Sequence, residues 1–182
     1  MSKKDAGQDA FDLLAEISSL CRQHARPLPG DDEVVEEWVG ICFRLGGTPL
    51  VSAMGEVVEI LTPQPLSRVP GAKSWVRGLA NIRGKLLPVM DLDGYLHGRP
   101  GLNTRRSRIL VMDQGGVFAG LMVDEVIGLR RFLPEDRTDS LPTSDPALAP
   151  FLKFGFRAGG ENWGVFSMRD LAETPEFLQA AM

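Results

Sequence analysis

The residues that could carry chemistry are few, and the densest group lies in GLANIRGKLLPVMDL, Gly78 to Leu92. A phosphate loop closes consecutive backbone N–H groups around one anion, so its second glycine and its lysine stand at fixed distances. Here five residues, Leu79 to Arg83, separate Gly78 from Gly84, one more than such a loop has. Lys85 is followed by Leu86 where a magnesium-binding Ser or Thr would stand, so no nucleotide is expected. A structural zinc ion wants four N or S ligands. His24 and His97 are the only histidines and Cys21 and Cys42 the only cysteines. Cys21 and His24 lie three apart on one predicted helix, a two-ligand pair that reads as a buried thiol and a helix-end histidine. There is no nucleophile elbow, and neither histidine sits in a Gly-rich or acid-flanked setting that would orient it as a base. The carboxylate pairs Asp91/Asp93 and Asp31/Asp32 fall at turns or in a linker, where they terminate or solvate. The expectation is therefore no catalytic residue, no metal ligand and no cofactor.

What remains is Gly78, Asn81, Arg83 and Gly84, a short polar interruption between two apolar segments. Glycines there permit positive φ and the close approach of another backbone, and Arg83 offers a planar fork suited to a carboxylate or an interface. Two readings stay open, a recognition surface and a tight turn with a solvent-exposed arginine.

The elements that position these residues follow from periodicity. At 182 residues the chain builds one domain with extensions. Residues 9 to 24 form an amphipathic helix, with Phe11, Leu13, Leu14, Ile17, Leu20 and Cys21 on one half of the wheel and Asp12, Glu16, Ser19 and Gln23 on the other. Arg26 to Asp32, with two prolines and a glycine, is a linker. From Glu36 the period becomes two: Val39, Ile41, Phe43 and Leu45 alternate with Gly40, Cys42 and Arg44, and a Gly-Gly turn follows. Further strands are predicted over 48–53, 56–61, 86–92, 107–113, 117–123, 126–132, 151–157 and 162–167, with Gly115-Gly116 and Gly159-Gly160 as hairpin turns. The order reads as a meander, and many short strands with only terminal helices point to an all-β barrel or sandwich. Pro88 inside a strand demands an edge or a bulge. Residues 134 to 150 read as a long structureless loop. Ser167 with Asp170 opens one C-terminal helix, and Thr174 before Pro175 opens another, which reaches about Ala181 and packs its few apolar residues on the β-domain.

Composition narrows the function. A net charge of −4 and a pI near 5.2 argue against nucleic acid, whose binding rests on clustered Lys and Arg. The densest basic group, Arg105, Arg106 and Arg108, reads as a solvated loop. Two cysteines without a framework fit a reducing, cytoplasmic compartment. No apolar run of about 18 residues stands anywhere, so neither an ordinary export signal nor direct membrane insertion is expected.

With those residues in view, the sequence resembles the CheW family of chemosensory coupling proteins. RGLANIRGKLLPVMDLDGYL is similar to the family signature, Asn-Leu-Arg-Gly followed by an apolar stretch with Pro and then Asp-Leu, Ile82 standing for the usual leucine. Upstream, Val57-Val58-Glu59-Ile60 resembles the family's Val-x-Glu-Ile element, and downstream FAGLMVDEVIGLRRF resembles its Gly-x-x-Val-Asp-x-Val segment. The likeness runs from about Glu36 to Leu171. Leu50-Val51 departs from the family's aromatic residue followed by Gly or Ala, and Asp93-Gly94 from its longer basic segment. The added helix looks like the PilI type of coupling protein, from the systems that govern type IV pili and twitching motility.

The resemblance implies a mainly β fold of two SH3-like barrels side by side around a shared apolar seam, with an extra N-terminal amphipathic helix and a short C-terminal helix. It divides the chain into an N-terminal helix and linker (1–32), a CheW-like domain (36–171) and a C-terminal helix (172–182). It implies an adaptor, not an enzyme, working in the cytoplasm at membrane-associated receptor arrays. The implied partners are the cytoplasmic tip of a methyl-accepting chemoreceptor and the regulatory domain of a CheA-type histidine kinase. Val57, Glu59, Gly78, Asn81 and Arg83 are expected at or beside the receptor groove, with Glu59 pairing Arg83. Val126 and Leu129 are expected at the kinase contact, exposed on a strand edge; the other reading, that both are core, is one that alternation does not decide. The N-terminal helix is expected to cap the seam or to dock a pilus-specific partner. The main rival is a small-ligand-binding barrel, which requires a pocket of at least about 300 Å³ lined by strand residues of the seam.

Overall fold

A computed structural model describes residues 13–14, 16–20, 37–101 and 103–179. The chain falls into two units, Met1–Val35 and Glu36–Met182. In the first, the described residues are helical and Leu13, Leu14, Ile17 and Leu20 are exposed. The rest of the expected helix, including Cys21 and His24, and the linker with Asp31 and Asp32 lie outside the described residues.

The second unit is built from eleven strands: β1 Trp38–Leu45, β2 Thr48–Ala53, β3 Val57–Leu61, β4 Val76–Ile82, β5 Lys85–Asp91, β6 Arg108–Gln114, β7 Val117–Val123, β8 Glu125–Phe132, β9 Arg137–Thr138, β10 Leu152–Ala158 and β11 Glu161–Phe166. Three short helices join them, α1 Leu92–His97, α2 Met168–Glu173 and α3 Pro175–Leu178. The strands make two sheets, a six-stranded one in the order β8-β1-β2-β11-β10-β9 and a five-stranded one in the order β3-β6-β7-β5-β4. The five-stranded sheet is thus inserted between two halves of the six-stranded one. This corrects the meander: β8 returns to β1, and β2 with β11 and β5 with β7 pair parallel. The ladders do not close either sheet. The expected barrels are met as two open sheets.

Three clusters of buried residues explain the strand sequences. Cys42, Val51, Phe132, Phe156, Trp163 and Val165 fill one face of the six-stranded sheet. Ala80, Leu87, Val89, Ile109, Val111 and Met122 fill one face of the five-stranded sheet. Between the sheets lies the largest cluster, including Phe43, Leu50, Leu110, Leu121 and Phe166. β1 therefore buries both faces, Ile41 and Phe43 toward the shared core and Cys42 toward its own sheet's core. Each Ile or Phe side chain so removed from water contributes about 1.5–3 kcal/mol. Burial pushes the Cys42 thiol up to about 11, against a smaller pull from Arg130.

Pro88 is not on an edge, since β5 lies between β4 and β7. Its partner Leu79 gives both backbone groups to Ser67, at 2.9 Å each. The ladder from β5 to β7 begins only at Val89. Pro88 thus occupies a place where no N–H is called upon. The segment 134–150 is also more ordered than expected, with 3-10 turns at Pro134–Asp136 and Ala149–Phe151 around the short β9. At the C-terminus Ser167 Oγ accepts from Asp170 N (3.2 Å), and Phe177 is buried against the shared core, stacked on Trp75 at 5.8 Å.

Candidate interaction surface

Besides the two-residue β9, the strand that sequence reasoning missed is β4. Gly78, Asn81 and Gly84 made 78–84 look like turn chemistry, yet the turn itself is only Arg83-Gly84, closing β4 onto β5 with Ile82 opposite Lys85. Arg83 has φ 51° and Gly84 φ 83°, the two successive positive values of a two-residue hairpin that matches strand twist. Three other hairpins in the chain place Gly-Gly at this turn, Gly46-Gly47, Gly115-Gly116 and Gly159-Gly160. Arg83 is the one non-glycine with positive φ among the described residues. An L-residue there costs about 1–2 kcal/mol relative to its ordinary conformation.

Two contacts hold it. Asn81 Oδ1 accepts from Gly84 N at 2.9 Å, and Arg83 Nη2 donates to Glu59 Oε1 at 2.8 Å. Glu59 lies on β3, and β3 and β4 are the opposite edges of the five-stranded sheet. The ion pair therefore spans the opening that the ladder leaves. Beside it is a hollow of about 210 Å³ walled by Val58, Ile82, Leu87, Val111 and Phe118, with Lys85 at the rim. Val58 and Leu86 are 62% and 65% exposed, and Ile60 and Phe118 are exposed as well. An exposed apolar group rimmed by charge is what a partner surface needs.

The expected site residues separate on inspection. Glu59, Asn81 and Arg83 come together at the opening. Val57 is half-buried and packs on the shared core, while its neighbours Val58 and Ile60 face out. Gly78 is buried with φ 139°, and a Cβ there would meet Ser67 O at 2.4 Å. The backbone it admits is this chain's own. On β8, Leu129 is 54% exposed at the sheet edge, but Val126 packs on the shared core, which corrects its expected exposure. Ile127, 44% exposed, stands there instead. Along β8 the odd positions 127, 129 and 131 are exposed while Val126 and Phe132 turn inward, a facing fixed by the pairing with β1 and not by alternation alone.

Sequence reasoning also missed the setting of His97, which is acid-flanked in space. Asp93 Oδ1 lies 2.7 Å from Nδ1 and Asp145 Oδ2 2.6 Å from Nε2. The Asp93/His97 spacing of four was a signal; Asp145, 48 residues away, gave none. Asp91 terminates as expected: its buried carboxylate caps α1 through Gly94 N (2.9 Å) and accepts from Gly101 N (2.9 Å). In the basic loop, Arg108 Nη1 donates to the carbonyls of Arg105, Arg106 and Ser107. Among the described residues no three His, Cys, Asp or Glu side chains converge to hold a metal ion, and no helix is long and apolar enough to cross a membrane. Of the hollows of about 500 Å³ among the described residues, one is lined by residues of the 66–74 loop and the start of β4, and another by α1, the 146–151 turn and the start of α3. Neither is the strand-lined seam pocket that a ligand-binding barrel requires.

The family model of the CheW-like domain matches residues 39–176. Protein PilI of Pseudomonas aeruginosa is 42% identical over 175 residues, 96% of this chain and 98% of that protein. Chemotaxis protein CheW of Thermotoga maritima is 25% identical over 128 residues, 70% of this chain and 79% of that one. The crystal structure of the scaffolding protein TtCheW from Thermoanaerobacter tengcongensis matches with a TM-score of 0.63 at 21% identity, covering 76% of this chain and 94% of that one.

Proposed function

We propose, from the premise that the chain belongs to the CheW-like domain family, that it is an adaptor coupling chemoreceptors to a CheA-type histidine kinase in the chemosensory pathway of type IV pili. It performs no catalysis of its own. It works in the cytoplasm at membrane-associated receptor arrays. The finer assignment is of surfaces. The receptor's cytoplasmic tip, a helical hairpin, sits against the opening of the five-stranded sheet, where Val58, Ile60, Leu86 and Phe118 supply apolar area and Glu59, Asn81 and Arg83 fix register. The kinase's regulatory domain takes the β8 edge at Ile127 and Leu129. Each sheet, with its own core, corresponds to one SH3-like barrel whose edges are drawn together rather than bonded.

What supports this most is the conformation of Arg83. The three Gly-Gly turns show the unstrained solution, and an arginine held at this position at a cost points to function. A coupling protein alters kinase output only through contacts that differ between the kinase's active and inactive states. A pairwise affinity near micromolar, about −8 kcal/mol, suffices because arrays raise effective concentration. Calorimetry against a receptor-tip hairpin tests the assignment. Arg83→Glu, which sets two acids side by side, is expected to weaken binding by on the order of 2 kcal/mol while leaving the fold intact; unchanged binding would remove Arg83 from the interface.

A further inference from the structure

His97, the last residue of α1, stands between two carboxylates from different parts of the chain: Asp93, one turn back on the same helix, and Asp145 in the 134–151 segment. A carboxylate oxygen only accepts, so both ring nitrogens must donate for both contacts to be hydrogen bonds. A neutral imidazole carries one N–H; the imidazolium carries two. The geometry therefore selects the cation, clasped between two anions. It does not select a metal, because the carboxylates lie on opposite nitrogens and three donors cannot converge.

The clasp has mechanical consequences. Asp145 also organises its own segment: Oδ1 accepts from Ala147 N at 2.9 Å, and its carbonyl accepts from Leu148 N and Ala149 N. Leu148 and Phe151 then enter the shared core. Residues 146–151 form one wall of the groove of about 500 Å³ whose other side is Tyr95 and Leu96 of α1. The ring is the tie between the two walls.

We propose that Asp93, His97 and Asp145 form a proton-operated clasp: protonated His97 pins the 143–149 turn to α1, and loss of the proton frees that wall of the groove. Other charges act on it. Arg99 favours the Asp145 anion, Asp124 feels the negative charges of Asp93 and Asp91, and Glu176 stands on the groove's far side. Asp91 is already engaged by Gly94, Gly101 and Arg77. Partial burial alone would lower the His97 pKa, but the hydrogen bonds that the ring donates to Asp145 and Asp93 and the charges of those carboxylates outweigh it, and the net direction is upward from 6.5. The hydrogen bond from His97, more than any other influence, lowers Asp145 from 3.8. A raised histidine stabilises the folded turn fully below 6.5 and loses that contribution as pH rises through its folded value; a lowered aspartate stabilises above 3.8 and loses it as pH falls through its folded value. The clasp is closed between those limits and opens on the alkaline side.

The test is NMR on the full chain across about pH 6 to 9, wild type against Asp145→Asn, following the His97 ring and the exchange protection of the Ala147, Leu148 and Ala149 amides corrected for intrinsic pH dependence. The expected result is a His97 midpoint above 6.5 that moves down in Asp145→Asn, with turn protection falling several-fold through the wild-type midpoint while β1 protection stays level. A midpoint at or below 6.5, a midpoint unmoved by Asp145→Asn, or protection that is flat across the midpoint would each overturn the proposal. His97→Gln adds a readout where it folds: turn protection low at every pH is expected, and protection equal to the wild type at low pH would contradict it.

Discussion

Replacing Gly78 by alanine separates an architectural residue from a contact residue. Gly78 sits at φ 139° with its Cα hydrogen directed at the backbone of Ser67; an added methyl would lie 2.4 Å from Ser67 O and 3.0 Å from Ser67 C. Backbone cannot swing aside as a side-chain tip does. The substitution therefore carries a conformational penalty of about 1–3 kcal/mol. It also displaces the strap that exchanges two hydrogen bonds with Leu79, 2.9 Å each, worth about 0.5–1.5 kcal/mol apiece. Together these predict a loss of about 2–6 kcal/mol. With a urea slope of about 1–3 kcal/mol per molar, the midpoint should fall by roughly 1 M or more at unchanged slope. Urea unfolding followed by tryptophan fluorescence reads this directly, since Trp75 and Trp163 lie in or against the cores. A midpoint within about 0.2 M of the wild type would refute the steric reasoning, and if receptor binding were lost at the same time Gly78 would be a contact after all.

Other consequences are smaller or more local. A double-mutant cycle of Glu59→Ala and Arg83→Ala should give a coupling of about 0.2–1 kcal/mol in thermal unfolding, because Arg83 is largely exposed; a coupling near zero would show that the pair does not draw the sheet edges together. Asp91→Ala should cost about 2–4 kcal/mol, since Gly94 N and Gly101 N both lose their acceptor in a buried place, and a change under about 0.5 kcal/mol in unfolding free energy would contradict that. Cys42 should resist a thiol reagent at neutral pH in the folded protein. Its raised pKa means that the folded state holds the proton more tightly, so this contribution to stability is present below the ordinary value of 9.0 and is lost as pH climbs from 9.0 toward about 11; rapid labelling of Cys42 itself in the native protein at neutral pH, told from Cys21 by peptide mapping, would oppose it.

Much of the β-domain was legible because its turns are explicit. Strands 48–53 and 117–123 have the predicted bounds, and the Gly-Gly pairs close their hairpins as expected. β4 was hidden because its sequence carries the composition of a loop: Gly78 is there to admit Ser67, and Asn81 to cap the turn. Strand order was out of reach, since β1 with β8 and β2 with β11 join residues about a hundred positions apart and alternation says nothing of partners. The same limit separated Val126 from Ile127. At the surface, the Glu59–Arg83 pair was foreseen from the family resemblance, whereas the exposed neighbours Val58, Leu86 and Phe118 were read only as strand residues. The His97 clasp depends on a contact from a segment that looked structureless.

As the proposed adaptor, this chain would hold a receptor tip and a kinase domain at once. Sedimentation velocity of a labelled receptor-tip hairpin mixed with the regulatory domain of a CheA-type kinase measures this directly. The two are expected to sediment together only when this chain is added; Arg83→Glu should remove the receptor and Leu129→Arg the kinase from the complex, each leaving the other bound. If the two partners compete for the chain, or neither associates with it, the adaptor account is contradicted.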